Sequence, residues 1–158
     1  LVTDAYSKKV VGHDLSDSLG VEGAQRALKM AVKQRIYADE PLIHHSDRGI
    51  QYCSDEYQKL LEKKQIKCSM TESYDPYANA VAERVNGILK NEFQLEQYKV
   101  DTNTMKKLVK NSIDIYNSIR PHYSCYMLTP EQMHLQRTIK IRTYKKTGVF
   151  KASLENSC

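Results

Sequence analysis

Pro41-Leu42-Ile43-His44-His45-Ser46-Asp47-Arg48-Gly49 is the stretch that decides the fold. Its apolar centre predicts a short strand over Pro41–His45, and Ser46-Asp47-Arg48-Gly49 reads as the loop that follows. Asp47 then stands just past the C-terminal end of a strand, where open α/β sheets place their ligands. Successive side chains in a strand point to opposite faces, so at most one of His44 and His45 can face such a site. A structural role suits both.

Upstream, Leu1 to Thr3 is a short apolar start and Asp4-Ala5-Tyr6-Ser7 is turn-like. Lys9-Val10-Val11-Gly12-His13 resumes as a strand, which predicts a β-hairpin whose first strand is cut short. Asp4 reads as a turn residue that hydrogen-bonds its own backbone. Val21, Ala24, Leu28, Ala31 and Val32 recur at helical spacing and predict a helix over 21–34.

Downstream, Ser54 can cap a helix with Asp55 and Glu56 in its first turn, where the helix dipole favours acids. Tyr57, Leu60 and Leu61 supply its apolar stripe. Ile66 and Cys68 alternate with polar neighbours, as in a brief strand, and Met70 to Tyr77 reads as a loop. A helix follows over about 79–93. Another spans about 104–117, with Met105, Leu108, Val109, Ser112, Ile113 and Tyr116 on its inner face. Arg120-Pro121-His122 breaks it. Thr129-Pro130-Glu131-Gln132 is a capping box with proline at the first helical position. Hairpin, helix, strand, helix, strand and helices in that order predict an α/β layer arrangement.

The chain has 158 residues, 41% of them hydrophobic, enough for one domain with a real core. Its apolar runs are too short to span a membrane, and Asp4, Lys8 and Lys9 interrupt any signal-peptide pattern. None of the four cysteines forms a C-x-x-C pair, and their wide spacing suits reduced thiols in the cytosol. Charge is uneven. Residues 1–83 hold 11 Lys/Arg against 13 Asp/Glu, whereas residues 84–158 hold 13 against 6. Six basic residues and no acid lie between Arg137 and Lys151. Such a half can face a polyanion, or be no more than a solvated surface with a basic tail. The division that follows is a core over 1–136 and a basic tail over 137–158. No Gly-rich phosphate loop occurs, so nucleotide hydrolysis is not supported.

Two carboxylates stand out. Glu83, separated from Asp47 by thirty-five residues, lies one turn into the helix that follows the polar loop. On that helix Asn79, Glu83, Asn86 and Lys90 form one polar stripe. Val81, Val85, Ile88 and Leu89 lie on the other side and can pack on a sheet. The acid can hold a divalent cation, and the amides and lysine can bind phosphates around it. On this pattern alone an ordinary solvated helix face is the better reading.

Context changes that weighting. His45-Ser46-Asp47-Arg48-Gly49-Ile50-Gln51-Tyr52 and Asn79-Ala80-Val81-Ala82-Glu83-Arg84-Val85-Asn86-Gly87-Ile88-Leu89-Lys90 resemble the insertion-sequence transposases with a retroviral-integrase-type core. Three further stretches match in order: Asp4 to Gly12, Tyr116-Asn117-Ser118-Ile119-Arg120-Pro121-His122, and Leu128-Thr129-Pro130-Glu131. The resemblance implies a ribonuclease-H-like mixed sheet flanked by helices, and metal-dependent DNA cleavage and strand transfer. That family holds two Mg²⁺ or Mn²⁺ ions with Asp, Asp and Glu. Asp47 matches the second carboxylate and Glu83 the third, while Lys90 matches a lysine that contacts the element's end. Arg48 is a further candidate for phosphate. Arg120 and His122 are expected to order the turn after their helix.

The family's first catalytic Asp lies on the strand ahead of the hairpin. The present sequence begins within the hairpin, so it is expected to lack that strand and that Asp. Asp4 matches a non-catalytic turn residue. The resemblance also implies multimers on paired DNA ends, in the bacterial cytoplasm at the nucleoid. Two readings compete with the enzyme: an inactive truncated remnant with weak DNA binding, and a ribonuclease of the same fold, which the transposase motifs disfavour.

Overall fold

A computed structural model describes residues 1–18, 20–71 and 80–136. The hairpin forms as its sequence predicts: β1 (Val2–Thr3) runs antiparallel to β2 (Val10–Gly12). The Asp4 carboxylate accepts from the backbone N–H groups of Tyr6 and Ser7, at 3.3 and 3.2 Å. Lys8, at φ 64°, completes the turn, and its N–H donates to Asp4 O at 2.8 Å.

Helix α1 (Val21–Lys33) crosses β2 at Gly12. A Cβ at Gly12 would sit 2.0 Å from the Ala27 carbonyl oxygen, so only glycine permits this approach. The chain then enters β3 (Leu42–Ser46), one residue further than the sequence predicts. A short helix α2 (Ile50–Cys53) follows, and then α3 (Asp55–Lys63). Ser54 caps α3 as expected, its side chain accepting from Tyr57 N–H at 3.3 Å. Gln65, at φ 54°, turns the chain into β4 (Ile66–Met70), which pairs parallel to β3 from Leu42↔Ile66 to Ser46↔Met70.

Helix α4 (Ala80–Asn91) carries Glu83 in its first turn, and α5 (Thr102–Ser118) begins at an Asp101 cap. Asn79 and the basic stretch from Arg137 to Lys151 lie outside the described residues. A final helix, α6 (Pro130–His134), has the capping box in full: Thr129 Oγ1 accepts from Gln132 N–H, and Gln132 Oε1 accepts from Thr129 N–H.

Two cores result. Val10, Val85, Ile88, Leu89, Ile113 and Tyr116 join β2, α4 and α5, so the apolar side of α4 packs on the hairpin as expected. Leu28, Tyr57, Leu61 and Ile66 join α1, α3 and β4. The architecture is α/β with both antiparallel and parallel pairing, but the strands fall into two separate pairs, β1–β2 and β3–β4. This is the mixed sheet flanked by helices, lacking its first strand, that the resemblance implies, present as two pairs. Among the described residues no strand bridges β1 and β3. The apolar centre of β3 reflects this: Ile43 is 60% exposed and Leu42 39% exposed.

Candidate active site

Between the two strand pairs lies a cavity of about 1050 Å³. Asp47, at the end of β3, stands exposed on its wall. Its Oδ1 accepts from Gly49 N–H at 3.0 Å, which fixes the carboxylate relative to the loop. Val81, Ala82 and Asn86 of α4 border the same cavity. Glu83 sits on the turn between them, exposed, near the positive end of the helix dipole. Asp47 and one member of the polar stripe of α4, Asn86, thus border one space, while Glu83 and Lys90 are not among its lining residues.

The other candidates have definite partners. Arg48 Nε donates to Thr71 O at 3.0 Å, and Thr71 N–H donates to Ser46 O at 3.0 Å. Arg48 therefore ties the Asp47 loop to the end of β4. Lys90 is exposed and pairs with Glu96 at 2.8 Å. Beneath the loop, His44 Nε2 lies 3.1 Å from the Tyr57 hydroxyl, and Tyr52 meets Tyr57 edge-on at 5.3 Å between centroids. Burial pushes the Tyr57 phenol up and the His44 imidazole down, the latter helped by neighbouring His45. His45 Nδ1 reaches Ser69 Oγ across the parallel pair at 3.0 Å. Both histidines hold the strand in place, as the sequence suggested.

Carboxylate oxygens suit a hard divalent cation. Among the described residues, no group of three or more His, Cys, Asp or Glu side chains could hold a metal. Asp47 and Glu83 would leave most coordination positions to water, phosphate and any further acid.

Asp4 is a turn residue with an added partner that sequence reasoning missed. His134 Nδ1, at the end of α6, lies 3.0 Å from its Oδ2, and the Ser7 hydroxyl donates to the same oxygen. Burial alone would raise this carboxyl's pKa. The hydrogen bonds from His134, Ser7 and the backbone outweigh it and hold the pKa down at about 2. A depressed carboxyl stabilises the fold above its ordinary value and loses that contribution as pH falls toward about 2. The stability difference between wild type and Asp4→Asn should be constant above about pH 5 and shrink below pH 4, read as Tm against pH. A difference that stays flat down to pH 2 would remove the clasp from the stability of the hairpin.

Comparison with known proteins follows the same line. Two sequence families, both described as Integrase core domain, match residues 1–76 and 64–130. The fold resembles the HTLV-2 integrase catalytic core domain in complex with magnesium, in its trimeric form. The TM-score is 0.62 at 20% identity, covering 84% of this chain and 80% of that one. The catalytic core domain of BIV integrase gives 0.58 at 18% identity, covering 76% and 74%. The architecture is thus that of the ribonuclease-H-like catalytic cores.

Transposase InsF for insertion sequence IS3A of Escherichia coli (strain K12) is 35% identical over 133 residues, 84% of this chain and 46% of that protein. The insertion element IS600 uncharacterized 31 kDa protein of Shigella sonnei is 34% identical over 132 residues, covering 82% and 47%. The chain belongs to the integrase core domain family, on its insertion-sequence transposase side. It spans about half the length of the curated relatives it matches.

Proposed function

We propose that this chain is the catalytic-core portion of a transposase that cuts and joins DNA with the help of divalent metal ions. The observation that carries the reading is the placement of Asp47 at a strand end, bordering the same cavity as α4, within an integrase-type core. Asp47 and Glu83 would hold Mg²⁺ or Mn²⁺. Such an ion supplies Lewis-acid stabilisation of the phosphate and a more acidic bound water. In cleavage, a water oxygen bonds to phosphorus as the 3′-oxygen of the strand leaves. In joining, that freed 3′-hydroxyl attacks a second phosphodiester, bonding to its phosphorus as that strand's own 3′-oxygen leaves and takes up a proton.

The chain's own part is to hold and orient. Gly49 N–H fixes the Asp47 carboxylate. Asn79, Asn86 and Lys90 on one helix face would bind phosphates flanking the scissile bond, with Arg48 on the neighbouring loop. Binding DNA would require Lys90 to exchange Glu96 for phosphate, a small cost for an exposed pair. Residues 1–136 form the core in this reading, and 137–158 serve as a basic tail on DNA. The solved relatives are described as dimeric and trimeric forms and as an intasome. They support multimers of this chain on DNA, which in a bacterium means at the nucleoid. No helix among the described residues is long and apolar enough to cross a membrane.

Two measurements on the 158-residue polypeptide test the reading. Duplex DNA should bind weakly and without sequence preference, each neutralised phosphate adding about 0.9 to the slope of log affinity against log salt. Removing residues 137–158 should flatten that slope, and an unchanged slope would show the tail to be merely solvated. Mg²⁺-dependent joining of labelled element ends should be undetectable, since only two of the family's three carboxylates are in this sequence. Robust joining would overturn the ligand assignment.

A further inference from the structure

Gly87 sits in the middle of α4 without an internal reason. A mid-helix glycine destabilises relative to alanine, because its backbone loses more freedom on folding and it packs nothing. It is kept where a neighbour needs the room. At Gly12 that neighbour is the Ala27 carbonyl, but a Cβ built on Gly87 meets no described atom within 4 Å. The room that Gly87 leaves is therefore on the outside of the helix.

The residues around it say what approaches. Three and four positions to either side stand Glu83, Arg84, Lys90 and Asn91, all exposed. This ridge lies beside the cavity, which touches α4 on its Val81, Ala82 and Asn86 flank. Arg84 is the second observation. The other described arginines all have acceptors: Arg26 holds Asp14, Arg35 holds Tyr37 O and Glu40 O, Arg48 holds Thr71 O, and Arg120 holds Glu92. Arg84 has no hydrogen bond or ion pair among the described residues. Its surroundings are positive as well. Burial lowers the pKa of the His122 imidazole, and the charges of Arg120, Lys8 and Arg84 lower it further. Glu92, the acid nearby, is already forked by Arg120. A guanidinium kept among cations, with no acceptor of its own, suits an anion from outside. Lys90 stands about 9 Å further along the helix axis, in an exposed pair with Glu96.

We propose that this ridge of α4 is a docking surface for the backbone of duplex DNA, with Gly87 the point of closest approach and Arg84 a phosphate-binding residue. A sugar takes the room over Gly87, and phosphates on either side take Arg84 and Lys90. Gly87 thereby sets how near the duplex lies to Glu83, one turn earlier on the same ridge. The inference deepens the DNA reading above and rests on it, but not on the assignment of metal ligands.

The test is fluorescence anisotropy of a short labelled duplex, titrated with the 158-residue protein in metal-free buffer at several salt concentrations. Gly87→Gln should weaken binding about tenfold and yet raise the urea midpoint, since glutamine is the better helix former and its Cβ meets nothing. A glycine needed for folding would lose stability and binding together. Gly87→Ala should also raise the midpoint and weaken binding less. Arg84→Gln should lower the slope of log affinity against log salt by about 0.9, and Arg84→Lys should retain it. Lys107→Gln, exposed on α5, should leave slope and affinity unchanged. Wild-type affinity in Gly87→Gln, or an unchanged slope in Arg84→Gln, would refute this surface and leave the cutting and joining reading standing. No duplex binding by the wild type would sink both. Two further results would also overturn the proposal by naming another occupant. Inorganic phosphate that competes through Arg84 beyond the effect of matched ionic strength would assign the site to a free anion. A wild-type dimer in sedimentation that Gly87→Gln dissociates would assign the ridge to a second copy.

Discussion

Asp47→Asn and Glu83→Gln should each lower Mg²⁺-dependent cleavage and joining by about a thousandfold or more, in an enzyme form that includes the family's first Asp. The reason is electrostatic. Two divalent ions bring four positive charges into a small volume, and fixed anionic ligands with substrate phosphates must offset their repulsion. Either substitution keeps the side chain's shape and removes one charge. Neither should disturb folding, because both residues are exposed and neither belongs to either hydrophobic core. Asp47→Asn even keeps the oxygen that accepts from Gly49 N–H. Asp4→Asn is the control. Its carboxylate is occupied by the hairpin turn and by His134, so chemistry should survive while acid stability changes. The measurement is nicking and joining of labelled DNA by each variant, with circular dichroism to check folding. Full activity in Glu83→Gln, or total loss in a well-folded Asp4→Asn, would overturn the assignment.

Local chemistry made much of this fold legible in advance. The Asp4 turn, the Ser54 cap and the Thr129–Gln132 box each depend on atoms two or three residues apart, and each forms as its sequence requires. The start of α5 was harder to place. Asp101, Thr102 and Thr104 can all cap a helix, and Asp101 does so by accepting from both Asn103 and Thr104 N–H groups. Helix α2 has four residues, too few for any periodicity to register. What no local pattern carries is the state of β3. Leu42 and Ile43 look like core residues, yet their burial depends on a neighbour across the sheet. The same holds at the candidate site. Asp47 and Glu83 could be singled out by position and resemblance, but the cavity that Asp47 shares with α4 exists only through tertiary packing.

The Tyr116–His122 stretch shows a motif acquiring a physical reason. Its members are fasteners. The Tyr116 hydroxyl donates to Lys8 O at 2.9 Å, Arg120 forks onto Glu92 at 2.6 and 2.7 Å, and His122 Nδ1 lies 2.8 Å from Ser124 Oγ. They tie α5 to the hairpin, to the end of α4 and to its own exit turn. The candidate site depends on them indirectly, since β1 and α4 are two walls of the cavity.

Asn117 is the strongest of these fasteners, and Asn117→Ala should destabilise the protein by about 2–4 kcal/mol. Its side chain acts as a residue of a neighbouring strand would. Oδ1 accepts from Val10 N–H at 2.9 Å, and Nδ2 donates to Val10 O at 3.0 Å. Val10 is 3% exposed, so neither group can turn to water once the amide is gone. The loss is therefore two hydrogen bonds and two stranded backbone groups on the outer edge of β2. Asn117→Asp should be no better near neutral pH. It retains the acceptor but places a buried negative charge against a carbonyl oxygen. On acidification the protonated acid can donate again, so this variant alone should gain relative stability as pH falls through its raised pKa. Asn111→Ala, on the exposed face of the same helix, should stay within about 0.5 kcal/mol of wild type. Urea unfolding checks all three through the midpoint at unchanged slope. A midpoint for Asn117→Ala matching that of Asn111→Ala would mean that the edge of β2 is held by packing on Ile113 and Tyr116 alone, and that the amide is incidental.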